Sequence, residues 1–173
     1  MKFSIPQTTS TSIEGFVVKK AQSSNAALVL NFIKQLAVYE KMIEDVVATE
    51  ESLRNWLFGD KSFAHVVIGE YKSTPVGFAL FFTNFSTFLG RPGIFLEDLF
   101  ILPEYRGKGF GKTLLAFLAK LAVDNDFGRV EWSVLNWNQP AIDVYKAIGA
   151  KPMDEWTIFR LSDTNMVDVG KLL

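Results

Sequence analysis

The sequence predicts an α/β fold, a single domain with a mixed, mostly antiparallel sheet of about six to seven strands and about four flanking helices. Three observations carry this. Residues 95–102 are an apolar run with aromatic and branched side chains, ended by Pro103, and read as a buried strand. Directly after it come a cationic glycine-rich loop and a segment whose Leu114, Leu115, Leu118, Leu121 and Ala122 share one helical face. Upstream, residues 63–70 and 76–85 are strand-like runs. They flank Tyr71-Lys72-Ser73-Thr74-Pro75, whose Ser, Thr and Pro suit the turn of an antiparallel hairpin.

The other elements follow in chain order. Residues 1–13 are rich in Ser and Thr and are expected to be flexible, or an extra strand at most, leaving 14–173 as the domain. Residues 16–20 read as a short first strand. Ser23 or Ser24 caps a helix in which Val29, Phe32, Ile33 and Leu36 share a face, ending near Glu40. Thr49 caps a second helix, with Glu50 and Glu51 in the first turn where the dipole favours carboxylates, and Gly59 stops it. Gly90-Arg91-Pro92-Gly93 is expected to break the chain before the central strand. Beyond a turn at Asp126-Phe127-Gly128, Val130, Trp132 and Val134 alternate as one face of a further strand. Asn138 caps a short helix with Pro140 in its first turn, and Gly149 closes it. Residues 156–161 are expected to be the last strand.

Composition narrows the function. The 173 residues carry a formal net charge of −1, which does not suit a general nucleic-acid binder. There is no cysteine, so disulfides, thiolate catalysis and cysteine metal sites are excluded, and no metal is expected. No apolar run approaches the length of a membrane span, and the first 15 residues lack a signal-peptide core. A cytoplasmic location without membrane or nucleic-acid partners is therefore the expectation.

The loop after the central strand is built for an anion. Gly107, Gly109 and Gly111 can adopt backbone angles closed to other residues and let a ligand approach the main chain. Successive N–H groups at the following helix start form a cradle, helped by the helix dipole. Gly111-Lys112-Thr113 looks like the end of a Walker A loop, but Arg106 stands where its first glycine belongs. A dinucleotide fingerprint needs G-x-G-x-x-G, and here the spacing is G-x-G-x-G. What remains is R-x-x-G-x-G between a strand and a helix. This resembles the pyrophosphate-binding signature of the GNAT acetyltransferases.

The resemblance implies the GNAT fold and acetyl-CoA as co-substrate. It places the cofactor on Arg106, Gly107, Lys108, Gly109, Phe110, Gly111 and Lys112, and on the backbone of Leu99, Phe100 and Ile101. Lys108, Lys112 and Lys146 are candidates to meet the phosphates, with solvated charge as the bland alternative. Acetyl transfer to an amine needs a neutral amine, a stabilised oxyanion and charge relief for the departing thiolate. Residues 138–145 resemble N-x-x-A-x-x-x-Y, which implies Asn138 and Ala141 beside the pantetheine arm and Tyr145 as general acid. The competing reading of Tyr145 is a core tyrosine flanked by Ile142 and Ile148. Glu97 and Asp98 are adjacent carboxylates that cannot both face the core of a regular strand, and Glu97 is the candidate to relay the amine's proton. His65 reads as structural. The acidic residues Glu40, Glu44, Asp45, Glu50 and Glu51 form either a solvated face or a site that draws in a cationic amine.

Further segments resemble one branch of that superfamily, the diamine/polyamine and thialysine acetyltransferases. They are Leu36-Ala37-Val38-Tyr39-Glu40, Phe63-Ala64-His65, Leu96-Glu97-Asp98-Leu99-Phe100 and Trp137-Asn138-Gln139-Pro140-Ala141-Ile142. This resemblance implies amine contacts from Tyr39, Glu40, Glu97 and Glu155 (with Asp154 as the alternative), and a homodimer. Residues 149–156 are shorter than in polyamine members and closer to the thialysine type. The acceptor is then a small diamine, polyamine or lysine-like amine. A protein or peptide acceptor, or a CoA-binding module without catalysis, are the alternatives.

Overall fold

The computed structural model describes residues 3–60 and 62–173. The chain divides into two compact units, Met1–Ser133 and Val134–Leu173.

The first unit is built on a six-stranded sheet in sequential order: β1 (Thr8–Ser10), β2 (Phe16–Lys20), β3 (His65–Tyr71), β4 (Thr74–Ser86), β5 (Arg91–Ile101) and β6 (Val130–Trp132). Every neighbouring pair is antiparallel except β5 and β6, which run parallel. Parallel neighbours need a crossover, and α3 (Phe110–Asp124) supplies it. Helices α1 (Ala26–Glu40) and α2 (Glu50–Phe58) connect β2 to β3. The β3–β4 turn is two residues long, with Lys72 and Ser73 both at positive φ, the backbone that matches the twist of a hairpin. Residues 8–10 take the extra-strand alternative, and Met1 and Lys2 lie outside the described residues.

Each face of the sheet has its own apolar filling. On one, Val29, Phe32 and Leu36 of α1 meet Val66, Ile68, Phe78 and Phe100, with Phe32 stacked on Phe78 at 5.6 Å between centroids. Towards α3, Phe110 stacks on Phe16 at 4.3 Å, and both are almost fully buried. Burying a side chain of this size stabilises by roughly 1.5–3 kcal/mol. The Thr49 cap forms as its sequence suggests, accepting from Ser52 N–H at 3.1 Å.

The second unit contains α4 (Gln139–Ala147) and α5 (Asp163–Gly170). Asn138 accepts from Ala141 N–H at 3.4 Å. Beyond the helix Gly149 takes φ +88°, and Ala150 N–H returns to the Tyr145 carbonyl at 3.0 Å. That pairing closes orphan carbonyls at the helix end.

Four expectations are corrected. Residues 156–161 are not a strand, because a strand exists only by pairing and none among the described residues pairs with them. A fifth helix, α5, follows where no element was expected. Arg91 and Pro92 belong to β5 instead of breaking the chain, while β6 ends at Trp132 and so excludes Val134. Pro92 fits because its missing N–H lies opposite Phe85 near the strand's start, and its carbonyl accepts from Gly128 N–H at 2.8 Å.

Candidate active site

The site's first part is the turn from β5 into α3. One 3-10 turn at Pro103–Tyr105 leads to Arg106, then Gly107 at φ +74° and Gly109 at φ +83°, the residue that caps α3. Among the described residues, no backbone carbonyl accepts from the N–H groups of residues 107–112. The Phe110 side chain is locked in the core, so only its N–H can face a ligand. Six consecutive donors at the head of a 15-residue helix fit a diphosphate. The Lys108 ammonium lies 5.0 Å from the Tyr105 ring centroid and 6.0 Å from that of Tyr71.

The second part is the edge of β5. Strand β6 pairs with β5 only at Ile94, Phe95 and Leu96. On the β4 side the register slips by one residue. Leu80 faces Asp98 and Phe81 faces Leu96, so Glu97 has no partner and forms a bulge. Past the bulge, Leu102 N–H donates to the Val76 carbonyl at 2.9 Å. Antiparallel alternation then turns the peptide groups of Phe100 toward β4 and those of Leu99 and Ile101 toward the opposite edge. An extended ligand with amides can pair there as an added strand. Of the expected trio, Leu99 and Ile101 turn their main-chain groups away from β4, the Ile101 carbonyl accepting from Arg106 Nε at 2.9 Å, and Phe100 turns its ring to the α1 side.

The third part is a set of carboxylates. Asp98 is half-buried, and its carboxyl is pushed up to about 6 by burial first, then by the charges of Glu97 and Glu40. Burial also raises Glu40. Glu97 itself is exposed at the bulge. The charges acting on Asp98 thus come from β5 and the last turn of α1. Glu44, Asp45, Glu50 and Glu51 are not among them, and Glu50 is instead paired with Arg54 at 3.2 Å. Sequence reasoning favoured Glu97 and left Asp98 without a role. The available signal was its position two residues before Phe100, on the face that meets α1.

Arg106 departs from a simple phosphate contact. Its Nε donates to the Ile101 carbonyl at 2.9 Å, and its guanidinium carbon lies 4.6 Å from the Tyr39 ring centroid. His65 is elsewhere, 5.3 Å from the Phe3 ring and 5.7 Å from the Phe81 ring. Burial and then the Lys20 charge lower its pKa, which suits a structural role.

In the second unit, Tyr145 lies at the end of the second turn of α4 and Ala141 in its first, just after the Asn138 cap. Glu155 and Asp154 are both exposed in one turn.

Comparison with known proteins decides the family. The family model described as acetyltransferase (GNAT) family matches residues 32–150, more than half of the chain. The chain belongs to the GNAT acetyltransferase family. Thialysine N-epsilon-acetyltransferase of Bos taurus is 35% identical over 165 residues, covering 89% of this chain and 96% of the relative. The L-ornithine N5-acetyltransferase NATA1 of Arabidopsis thaliana is 30% identical, with 97% of this chain and 94% of that protein covered. Among solved structures, an integron cassette protein from the mobile metagenome of V. cholerae superposes with a TM-score of 0.76. At 24% identity, over 91% of this chain and 98% of that one, it supports the fold alone.

This GNAT chain is an N-acetyltransferase with acetyl-CoA as its co-substrate. The residues fit that molecule: among the described residues, N–H groups that no backbone carbonyl takes suit a diphosphate, and a strand edge that no further strand pairs suits the amide-bearing arm. Among the described residues, no group of three or more His, Asp or Glu could hold a metal ion. No helix among them is long and apolar enough to cross a membrane.

Proposed function

We propose that the acceptor is the primary amine of a small lysine-like molecule or diamine, of the thialysine and ornithine type. One observation carries this: Glu40 and Glu97 act together on Asp98, gathering negative charge at the end of α1 and the β5 bulge. Such a group of carboxylates favours a cation, and more so a molecule with a second ammonium. The names of similar proteins agree, since two of them act on thialysine and L-ornithine and a third, of Homo sapiens, is a spermidine/spermine N(1)-acetyltransferase-like protein.

The chemistry then runs as follows. Tyr39, Glu40 and Glu155 hold the cationic acceptor. Glu97 takes the ammonium proton, directly or through water, and Asp98 holds the charge balance of the pocket. The neutral nitrogen attacks the thioester carbonyl that the co-substrate supplies, the C–S bond breaks, and the nitrogen's second proton passes to solvent, from which the Tyr145 phenolate is reprotonated. Asn138 and Ala141 line the arm that carries it, and residues 106–112 hold its phosphates. Tyr145 gives its phenolic proton to the departing sulfur. This reading includes a catalytic domain spanning residues 14–173, a homodimer and a cytoplasmic location.

A thiol-release assay with a panel of amines tests the acceptor. Turnover on thialysine, ornithine or putrescine supports the reading, and turnover on peptides alone overturns it. Tyr145→Phe should lower turnover by about 10²-fold while leaving CoA affinity within a factor of two, because only the transition state needs the proton. Equal turnover would remove Tyr145 from the reaction.

A further inference from the structure

Arg106 touches three elements at once. Its backbone opens the cradle loop, its Nε donates to the Ile101 carbonyl of β5 at 2.9 Å, and its guanidinium carbon lies 5.3 Å from the Phe100 ring and 4.6 Å from the Tyr39 ring. Tyr39 is in the last turn of α1, next to Glu40, the carboxylate that acts on Asp98. That turn ends at Lys41, a non-glycine residue at φ +63°, with the exposed side chain of Val38 within it and that of Met42 just beyond it. Met42 N–H closes this helix end on the Ala37 carbonyl at 2.8 Å, and Tyr39 packs against the α1-side core. The Arg106 contact adds to an end already held, and helix ends still open more readily than helix middles.

We infer that Arg106 is a positioning residue that transmits occupancy of the 107–112 cradle to Tyr39 and Glu40 at the acceptor end of α1. The inference rests on the acetyl-CoA and amine reading proposed above. An anion seated on the loop restrains the Arg106 main chain, which restrains the guanidinium between Ile101, Phe100 and Tyr39. The last turn of α1 is ordered in consequence. By reciprocity, an amine held by Tyr39 and Glu40 tightens the loop's hold on its phosphates by the same factor. Guanidinium chemistry is essential to this role. A lysine keeps the positive charge but has neither the plane that stacks on an aromatic ring nor the Nε–H that reaches Ile101.

Hydrogen exchange of a peptide covering residues 38–42 reads the transmission directly, with protein free and saturated with CoA. In the parent, CoA should slow exchange there about fivefold. Arg106→Lys and Tyr39→Leu, each saturated with CoA, should show no slowing, whereas Tyr39→Phe, which keeps the ring, should retain it. Working at saturation removes any change in CoA affinity from the comparison. If Tyr39→Leu fails to fold, Arg106→Lys on the exposed loop carries the test. CoA saturation without slowing in the parent, or slowing that persists in Arg106→Lys, overturns the transmission and leaves the cofactor reading standing. Absence of any CoA uptake overturns both.

Discussion

The two halves of β5 have opposite fates. At Ile94, Phe95 and Leu96 the strand is paired on both sides, with β4 and with β6. From Asp98 to Ile101 it is paired, among the described residues, with β4 alone. Glu97 divides them, as the one residue that the register skips. The first half is purely structural, since a buried strand with satisfied ladders has no donors left for a ligand. The second half keeps the main-chain groups of Leu99 and Ile101 turned outward. The extra residue, which carries a carboxylate, marks the point where the strand passes from pairing on both sides to pairing on one among the described residues.

Glu97→Gln strikes the division itself. The amide keeps the size of the bulge but cannot take a proton, so turnover should fall by about 10²-fold with little change in CoA affinity. Steady-state kinetics beside calorimetry checks this, and a variant that turns over as well as the parent would move the proton acceptor elsewhere.

One glycine on β4 and one on β5 separate the halves further. A Cβ at Gly77 would run into the Phe100 carbonyl oxygen, behind the open half. At Gly93, in the closed half, a Cβ would lie 2.6 Å from Asn84 Oδ1 and 3.1 Å from the Arg129 carbonyl oxygen. Asn84 also donates to Glu131 at 2.8 Å, linking β4 to β6 past that glycine. Either alanine should cost about 1–3 kcal/mol in urea unfolding, as overpacking does. Only Gly77→Ala should also weaken CoA binding in the folded protein, because it alone displaces residues 100 and 101. Equal CoA affinity in the two variants would erase the distinction between the halves.

Asp98 sharpens the comparison through pH. Its folded pKa of about 6 lies above the ordinary 3.8, so between these values the folded protein holds a proton that the unfolded chain has released. Stability from this group is therefore greatest in acid and declines as pH rises through the window, by about 3 kcal/mol at most. Asp98→Asn should be stabilised relative to the parent at pH 7 and nearly equal to it at pH 4, by denaturant titration at both. Binding runs the other way, since a cation needs the ionised form. The amine KM should rise as pH falls below about 6 in the parent and lose that inflection in Asp98→Asn.

Much of this arrangement is legible in the chain because local chemistry dictates it. Pro103 ends a strand, Gly107 and Gly109 permit left-handed backbone, and Thr49 and Asn138 cap helices, all by short-range rules. The bulge at Glu97 is not legible in this way. Alternation says that only one of Glu97 and Asp98 faces inward, but which one depends on the register with β4. Nor is the direction of the Arg106 side chain visible, since a motif records its place in the loop and not the Tyr39 ring it reaches. Residues 156–161 show the reverse failure. Trp156, Ile158 and Phe159 have strong strand preference, yet preference without a partner makes no strand.

The smallest expected effect concerns Gly107, in the loop that continues the open half. It sits at φ +74°, and a Cβ there would meet nothing within 4 Å. Alanine should thus cost only the strain of left-handed backbone, about 1 kcal/mol, or roughly fivefold in CoA affinity. Asparagine tolerates that region better and should cost about twofold. Space and backbone angle make different demands, and this pair of variants separates them. If alanine and asparagine both lose 10²-fold or more, the glycine is needed because the ligand lies against its α-carbon, not because of its φ. The open half of β5 and the loop would then form one continuous contact surface, with Gly107 at its closest point to the phosphates.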